Sequence, residues 1–265
     1  MAVNYGAGTA LATSIIGGGP LTMIWGALIV TCLQWTVAFS LGELASRWPT
    51  AAGAYYWTYQ LAPKRFRKLL SYINGWLLLT AVLLTTTSVA FGMSQHIVAT
   101  ANIVHPEWSP PQWVYVLIAY ALLLAASVPL LIGPKCLLLL ELANTYISWI
   151  YSLAHLIVLP VRAKAGRNSA KYAFTHYDPQ YSGWGSGWTF FIGFLPAAYS
   201  NAAPGFVLAM TEEVHNPAVT VPRAVSYTML PASLLISWAF LIPLTFTMPS
   251  SEVLLEARES HAPVM

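Results

Sequence analysis

The sequence predicts an all-α protein that crosses a membrane several times. Composition is the first reason: of 265 residues, 57% are hydrophobic and 8% charged, with a mean hydropathy of +0.61. Soluble domains carry about 25% charged residues. The second reason is spacing. Apolar residues fall in blocks of roughly 20, the number a helix needs to cross a bilayer core. The third is punctuation, because Gly-Pro turns and short basic clusters separate the blocks.

Taken in order, residues 2–16 are apolar but too short to span alone, and Gly17-Gly18-Gly19-Pro20 breaks them. Met1 to Ile16 has no basic n-region, so it does not read as a cleavable signal peptide. Residues 21–46 read as a full span whose Gly26, Ala27, Ser40 and Gly42 suit close helix packing. Trp48-Pro49 ends it, and the aromatic stretch 50–62 reads as interfacial. Lys64, Arg65, Arg67 and Lys68 follow, and further spans cover about 70–100, 113–132, 136–161, 187–211 and 224–247. That makes about six full spans and one half-helix. Residues 1–248 form the membrane domain, and 249–265 a polar tail.

The tight basic cluster at 64–68 places its loop in the cytoplasm. The base-free loop 102–112 is then outside, and Lys135 inside. Residues 162–186 fall outside despite Arg162, Lys164, Arg167 and Lys171, so the charge rule conflicts with itself here. The small net charge of +3, spread over inter-span loops, does not suit nucleic-acid binding. Cys32 and Cys136 lie in or beside apolar blocks and make neither a disulfide framework nor a metal site. No cofactor is implied. Nor does any nucleophile–base pair appear, so the chain does not read as an enzyme.

Ionisable groups inside spans are costly and each raises a functional hypothesis. Glu43 and Arg47 stand four apart in the order that favours a helical ion pair. Glu141 reads as snorkelling or bonding a neighbouring helix, with substrate contact the alternative. His155 and His96 read as buried, satisfied histidines. The run Thr85-Thr86-Thr87-Ser88 either lines a polar cavity or bonds its own helix.

The segment 193-GFLPAAYSNAAPGFVLAMTEEVHNP-217 carries the strongest signal. Pro204 removes a backbone donor and clashes one turn back, and Gly205 adds permissive torsions. Backbone freed around Tyr199–Gly205 is tolerated at membrane depth only inside protein or beside a cavity. Discontinuous helices of this kind build binding sites in secondary transporters, while a structurally kinked helix is the alternative.

Four stretches, 18-GGPLTMIWG-26, 40-SLGELASRWPTAAGAYYW-57, 74-NGW-76 and 212-EEVHNPAVTVPRAV-225, occur in an order and spacing that resemble one family. They look like the amino acid permeases of the amino acid–polyamine–organocation superfamily, nearest the fungal GABA, choline and general amino acid permeases. The likeness runs over nearly all of residues 1–248.

This resemblance implies a twelve-helix inverted repeat of the LeuT type, with helices one and six broken at the substrate site. Residues 2–16 then correspond to the outer half of helix one, 187–211 to helix six and 224–247 to helix seven. The chain would be a partial LeuT-like fold, apparently truncated at both ends. By this resemblance Tyr199, Ser200, Asn201, Ala203 and Gly205 approach a small amino acid or amine. Ala2, Asn4 and Gly6 approach it from the other broken helix. Glu43, Arg47, Pro204, Glu212 and Glu213 hold helix ends or gating contacts. Gly205-Phe206 stand where relatives often carry an acidic or aromatic residue, so a substrate ammonium lacks a carboxylate partner there. The implied function is secondary active transport by alternating access in the plasma membrane, with a coupling proton or cation. The alternative is a non-transporting permease fragment, or an incomplete gene model, acting at most through other membrane proteins. In-frame permease sequence on either side would mark an incomplete model.

Overall fold

The computed structural model describes residues 5, 6, 8, 11–105, 108, 110–163, 167–202 and 204–248. They are helical almost throughout, and five helices are long and apolar enough to cross a membrane. Residues 1–71 with 147–249 form one compact unit, and the described residues of 72–146 belong to a second.

In the first unit the chain opens with α1 (Leu11–Ile16). Gly18 and Gly19 follow with φ of 115° and 75°, torsions that glycine adopts without steric cost. Pro20 then starts α2 (Pro20–Arg47), where its fixed φ suits the first turn and its missing N–H costs nothing. Helix α2 is the mast of the unit. It packs against five later elements: α7 (Ala170–Thr175), α9 (Leu195–Ser200), α11 (Pro217–Arg223), the π-helical stretch Ala224–Met229 and α12 (Leu230–Thr247). It stops at Trp48 before Pro49, and α3 (Gly53–Leu61) follows.

Two long helices run through both units. Helix α4 (Arg67–Val104) has 38 residues and so extends about 57 Å, well beyond a hydrocarbon core of ~30 Å. Helix α6 (Pro134–Arg162) contributes its second half to the first unit. In the second unit, α5 (Gln112–Ile132) has no buried residue, and Gly133 at φ 125° ends it. An apolar helix open on all sides is stable in hydrocarbon rather than water. The chain is an all-α polytopic membrane protein.

The block expected as one span at 187–211 is instead cut twice. Helix α8 (Ser186–Ile192) ends at a turn over Gly193 and Phe194. Helix α9 follows, with Pro196 near its start. Pro196 has no N–H for the carbonyl one turn earlier, at Ile192, which accounts for the first cut. The second cut precedes α10 (Pro204–Val207), and a 3-10 turn (Leu208–Glu213) completes the segment.

The last span is longer than its apolar block suggests. It starts at Pro217, and a π-helical stretch (Ala224–Met229) joins α11 to α12. Pro222 and Pro231 flank that stretch, and each withholds a helical N–H, which favours the wider i→i+5 pattern. The Trp35 indole donates to the Ser226 carbonyl there at 2.5 Å.

Residues 167–186 hold short elements rather than open loop. Asn168 caps the end of α12: its amide nitrogen donates to the carbonyls of Thr245 (3.0 Å) and Met248 (2.9 Å). On the other side, Leu21 N–H donates to His176 O and Asp178 N–H to Gly18 O, each at 3.2 Å. Tyr177 lies so close to Gly18 that a Cβ there would stand 2.2 Å from its ring.

Candidate functional site

The site is built where the first helical segment meets the segment that is cut twice. Residues 5, 6 and 8 are helical, and Gly6 is buried against α9. A Cβ on Gly6 would lie 2.7 Å from Ser200 Oγ and 3.0 Å from Ser200 Cα, so only glycine permits this approach. Tyr5 is within electrostatic reach of Tyr199. Two of the residues named for opposite walls, Gly6 and Ser200, are therefore in contact. Higher up, a Cβ on Gly17 would meet Gly193 N at 2.3 Å and Cα at 2.4 Å. Backbone lies on backbone at both levels.

The residues of the break are not equally available to a ligand. Tyr199 and Ser200 are half-buried. Ser200 Oγ donates back to Pro196 O at 2.8 Å, and its lone pairs remain as acceptors. Asn201 is 2% exposed, and its side chain is tied on three sides. Its amide nitrogen donates to Ala197 O (2.9 Å) and to Thr31 Oγ1 (3.3 Å), while its carbonyl accepts from Ser233 Oγ (2.8 Å). Thr31 lies on α2 and Ser233 on α12, so Asn201 fastens the break to both neighbours. This fastening was missed in the sequence, where Thr31 and Ser233 are two hydroxyls among many in apolar spans.

Gly205 departs from expectation. It lies in α10, exposed, with no positive φ, and a Cβ there would meet nothing within 4 Å. Its torsions do not make the break. Of the other residues named for the site, Ala2, Asn4 and Ala203 lie outside the described residues, as do the side chains of Pro204 and Glu213.

At the other end of the segment, two of the four sequence blocks that carry the family likeness touch. Glu212 Oε1 accepts from Ala51 N–H at 2.9 Å and from Thr50 Oγ1 at 3.3 Å. Asn216 sits at φ 52°, ψ 58°, a left-handed position that Asn tolerates better than most residues, and Pro217 starts α11. Trp57 Nε1 donates to Trp48 O at 3.0 Å above a core that includes Ala38, Ala45, Leu208 and Val225. The Pro-Thr-Ala-Ala-Gly and Glu-Glu-Val-His-Asn-Pro signatures are two halves of one joint.

Three further expectations meet the structure as follows. The Glu43–Arg47 ion pair is not formed: Glu43 is exposed without a partner among the described residues, and Arg47 lies over the Trp48 ring, 4.7 Å from its centroid. The ring offers the guanidinium a cation–π contact close by, without stretching two side chains along the helix. Thr86 and Thr87 bond their own helix, donating to Val82 O and Leu83 O at 2.8 Å. His155 is not satisfied, because its buried Nε2 has no hydrogen-bond partner.

A shallow concavity of about 430 Å³ lies away from the break, lined by Ser169, Lys171, Tyr172, Thr175, His176 and Tyr177. It is open to the surface, and the helix break, with freed backbone at depth, is the better candidate. Burial pushes the Tyr177 phenol up from its ordinary value, against the pull of its own hydrogen bond to backbone. No cluster of metal-ligating side chains occurs among the described residues.

Comparison with known proteins fits this geometry. A family model described as amino acid permease matches residues 1–263. The choline transporter of Saccharomyces cerevisiae is 24% identical over 262 residues, covering 98% of this chain and 46% of that protein. A polyamine transporter of the same yeast is 28% identical over 250 residues, covering 93% of this chain and 40% of that one. Its GABA-specific permease is 26% identical over 214 residues, covering 78% and 37%. The chain spans about half the length of the curated relatives it matches, or somewhat less. No solved structure matches. These relatives are transporters rather than enzymes, and the chain belongs to the amino acid permease family of the amino acid–polyamine–organocation superfamily.

Proposed function

We propose that this chain carries the broken-helix part of the substrate path of a secondary transporter for amino acids or related amines such as GABA or choline. The observation that supports this reading most is the packing of Gly6 on Ser200, which brings the first helical segment against the cut helix at the level of the second cut. Backbone groups released there meet a small zwitterion or amine without a dedicated charged side chain. Ala2, Asn4, Gly6, Tyr199, Ser200, Ala203 and Gly205 line the approach. Asn201 positions the break rather than reading the substrate. Glu212 holds the inner joint through Ala51, Pro204 starts the half-helix after the second cut, and Glu213, Glu43 and Arg47 serve as gating residues at the inner helix ends. The cycle is alternating access in the plasma membrane, driven by a proton or cation gradient.

The test is uptake of radiolabelled GABA, choline and amino acids into proteoliposomes containing the chain, beside an extended permease containing the same segment. Uptake above empty vesicles, lost with Gly6→Val, supports the reading. Absence of uptake in both preparations contradicts it. Uptake only by the extended protein assigns this chain the alternative role of a non-transporting fragment.

A further inference from the structure

His155 stands in the last third of α6, about 10 Å from the helix end at Arg162. Its imidazole contacts two aromatic rings. It stacks on Phe240 of α12, with centroids 4.6 Å apart and planes 22° apart. It also meets Tyr151, one turn earlier on its own helix, in a tilted arrangement at 5.7 Å and 30°. Nε2 is buried and has no hydrogen-bond partner among the described residues. A polar ring atom left in this state inside a span is costly, and structural use alone does not account for it.

Phe240 links this ring to the first helical segment. It is 8% exposed, and a Cβ on Gly8 would stand 3.8 Å from its Cζ. Gly8 is two residues beyond Gly6, which lies on the candidate site.

We propose that His155 is a proton-binding site whose charge state is transmitted through Phe240 to the first helical segment at Gly8. A proton from water adds to the free ring nitrogen and later returns to water. Charging the ring strengthens its attraction to the two aromatic faces. It also leaves a buried, charged N–H with no acceptor. The two effects pull in different directions, so the ring reorients or admits water when it charges. Either response moves Phe240, and with it the surface on which Gly8 rests. The groups facing the imidazole are few. Tyr151 is the titratable neighbour on α6, and Arg162 lies two turns further on. Helix α12 carries no titratable side chain from Leu230 to Thr247. On the first segment the titratable group is Tyr5. The acid on α6, Glu141, stands fourteen residues away, about 21 Å along the helix, so no carboxylate of these elements lies beside His155 to hold its charge.

The proposal rests on the transporter reading only for its consequence, the coupling of proton to substrate. Its test is independent of uptake. The full chain, with Cys32→Ser and Cys136→Ser, is placed in nanodiscs with labelled histidine. The His155 resonance is assigned by its loss in His155→Gln. Proton binding is followed between about pH 5 and 8. A thiol is placed by Gly8→Cys, where the new Cβ meets ordinary van der Waals contact. Its alkylation rate is compared with that of the same thiol in His155→Gln at each pH. We expect the resonance to titrate, and the ratio of the two rates to change severalfold with the same midpoint. Phe240→Leu keeps the histidine but removes one π face, and lowers that midpoint by about half a pH unit, roughly threefold in proton affinity. It also serves if the glutamine variant does not fold. A resonance that stays fixed across the range overturns the proposal. So does a titration with no change in the Gly8→Cys rate ratio. Uptake that fails while His155 titrates and moves Gly8 refutes the transport reading and leaves this one standing.

Discussion

Replacing Asn201 by Ala tests the fastening of the break to its neighbours. Three side-chain hydrogen bonds are lost, but their costs differ. Ala197 O keeps a donor, the Asn201 backbone N–H at 3.1 Å. Thr31 Oγ1 still donates to Ala27 O at 2.7 Å and loses only a donor to it. Ser233 loses its acceptor while 3% exposed, and carries most of the penalty. A buried hydroxyl left without a partner costs about 1–3 kcal/mol, and the vacated amide volume adds to it. The sum is about 2–3 kcal/mol. The assay is equilibrium unfolding in mixed micelles titrated with SDS, for wild type, Asn201→Ala, Ser233→Ala and the double variant. Interhelical hydrogen bonds in a membrane couple by about 0.6 kcal/mol on average, up to ~1.7, so the cycle should show a coupling in that range. A single-variant loss below about 0.5 kcal/mol, or additivity within ~0.3 kcal/mol, refutes the reasoning.

Further outcomes follow from the same contacts. Gly17→Ala places a Cβ 2.3 Å from the Gly193 backbone, which cannot yield as a side chain does, and is expected to lose about 3 kcal/mol or more in the same assay. Gly205→Ala meets nothing within 4 Å and should fall within about 0.5 kcal/mol of wild type. Glu212→Ala should speed hydrogen exchange at the Ala51 amide roughly fivefold, the equivalent of about 1 kcal/mol, while Glu212→Gln retains an acceptor and changes it less. Asn168→Ala uncovers the Thr245 and Met248 carbonyls and should raise exchange in the last turn of α12 without altering α9.

Sequence patterning located most of the fold because its signals are local. A run of apolar residues between Gly18-Gly19-Pro20 and Trp48-Pro49 has few options other than a membrane helix. The cut near Pro204 was legible for the same reason, since a proline withholds one donor at a known place. The cut at Gly193 has the same origin in Pro196, but there the proline reads equally as a permitted first-turn residue. The rest depends on distant partners. Nothing in the local sequence distinguishes Thr31 from Thr36, and both donate to their own helix, yet Thr31 also accepts from Asn201. Glu43 and Arg47 have the right spacing for an ion pair, but Trp48 lies nearer to the guanidinium. The joint between Glu212 and Ala51 was announced only as two motifs that occur together. Gly6 and Ser200 were assigned to one place by resemblance, and their contact is a matter of tertiary packing.

The claim that a substrate sits at the second cut is tested most directly by ligand protection of a thiol placed beside it. Gly205→Cys, in a background of Cys32→Ser and Cys136→Ser, puts a new side chain in open space next to the break. Gly187→Cys, equally open and on α8, is the control. Alkylation of both is measured in nanodiscs with and without GABA, choline and a panel of amino acids and polyamines. The account predicts that at least one of these slows labelling at residue 205 in a saturable way and leaves residue 187 unchanged. Equal rates at residue 205 with every compound, at concentrations well above those that support uptake by the extended permease, would contradict it.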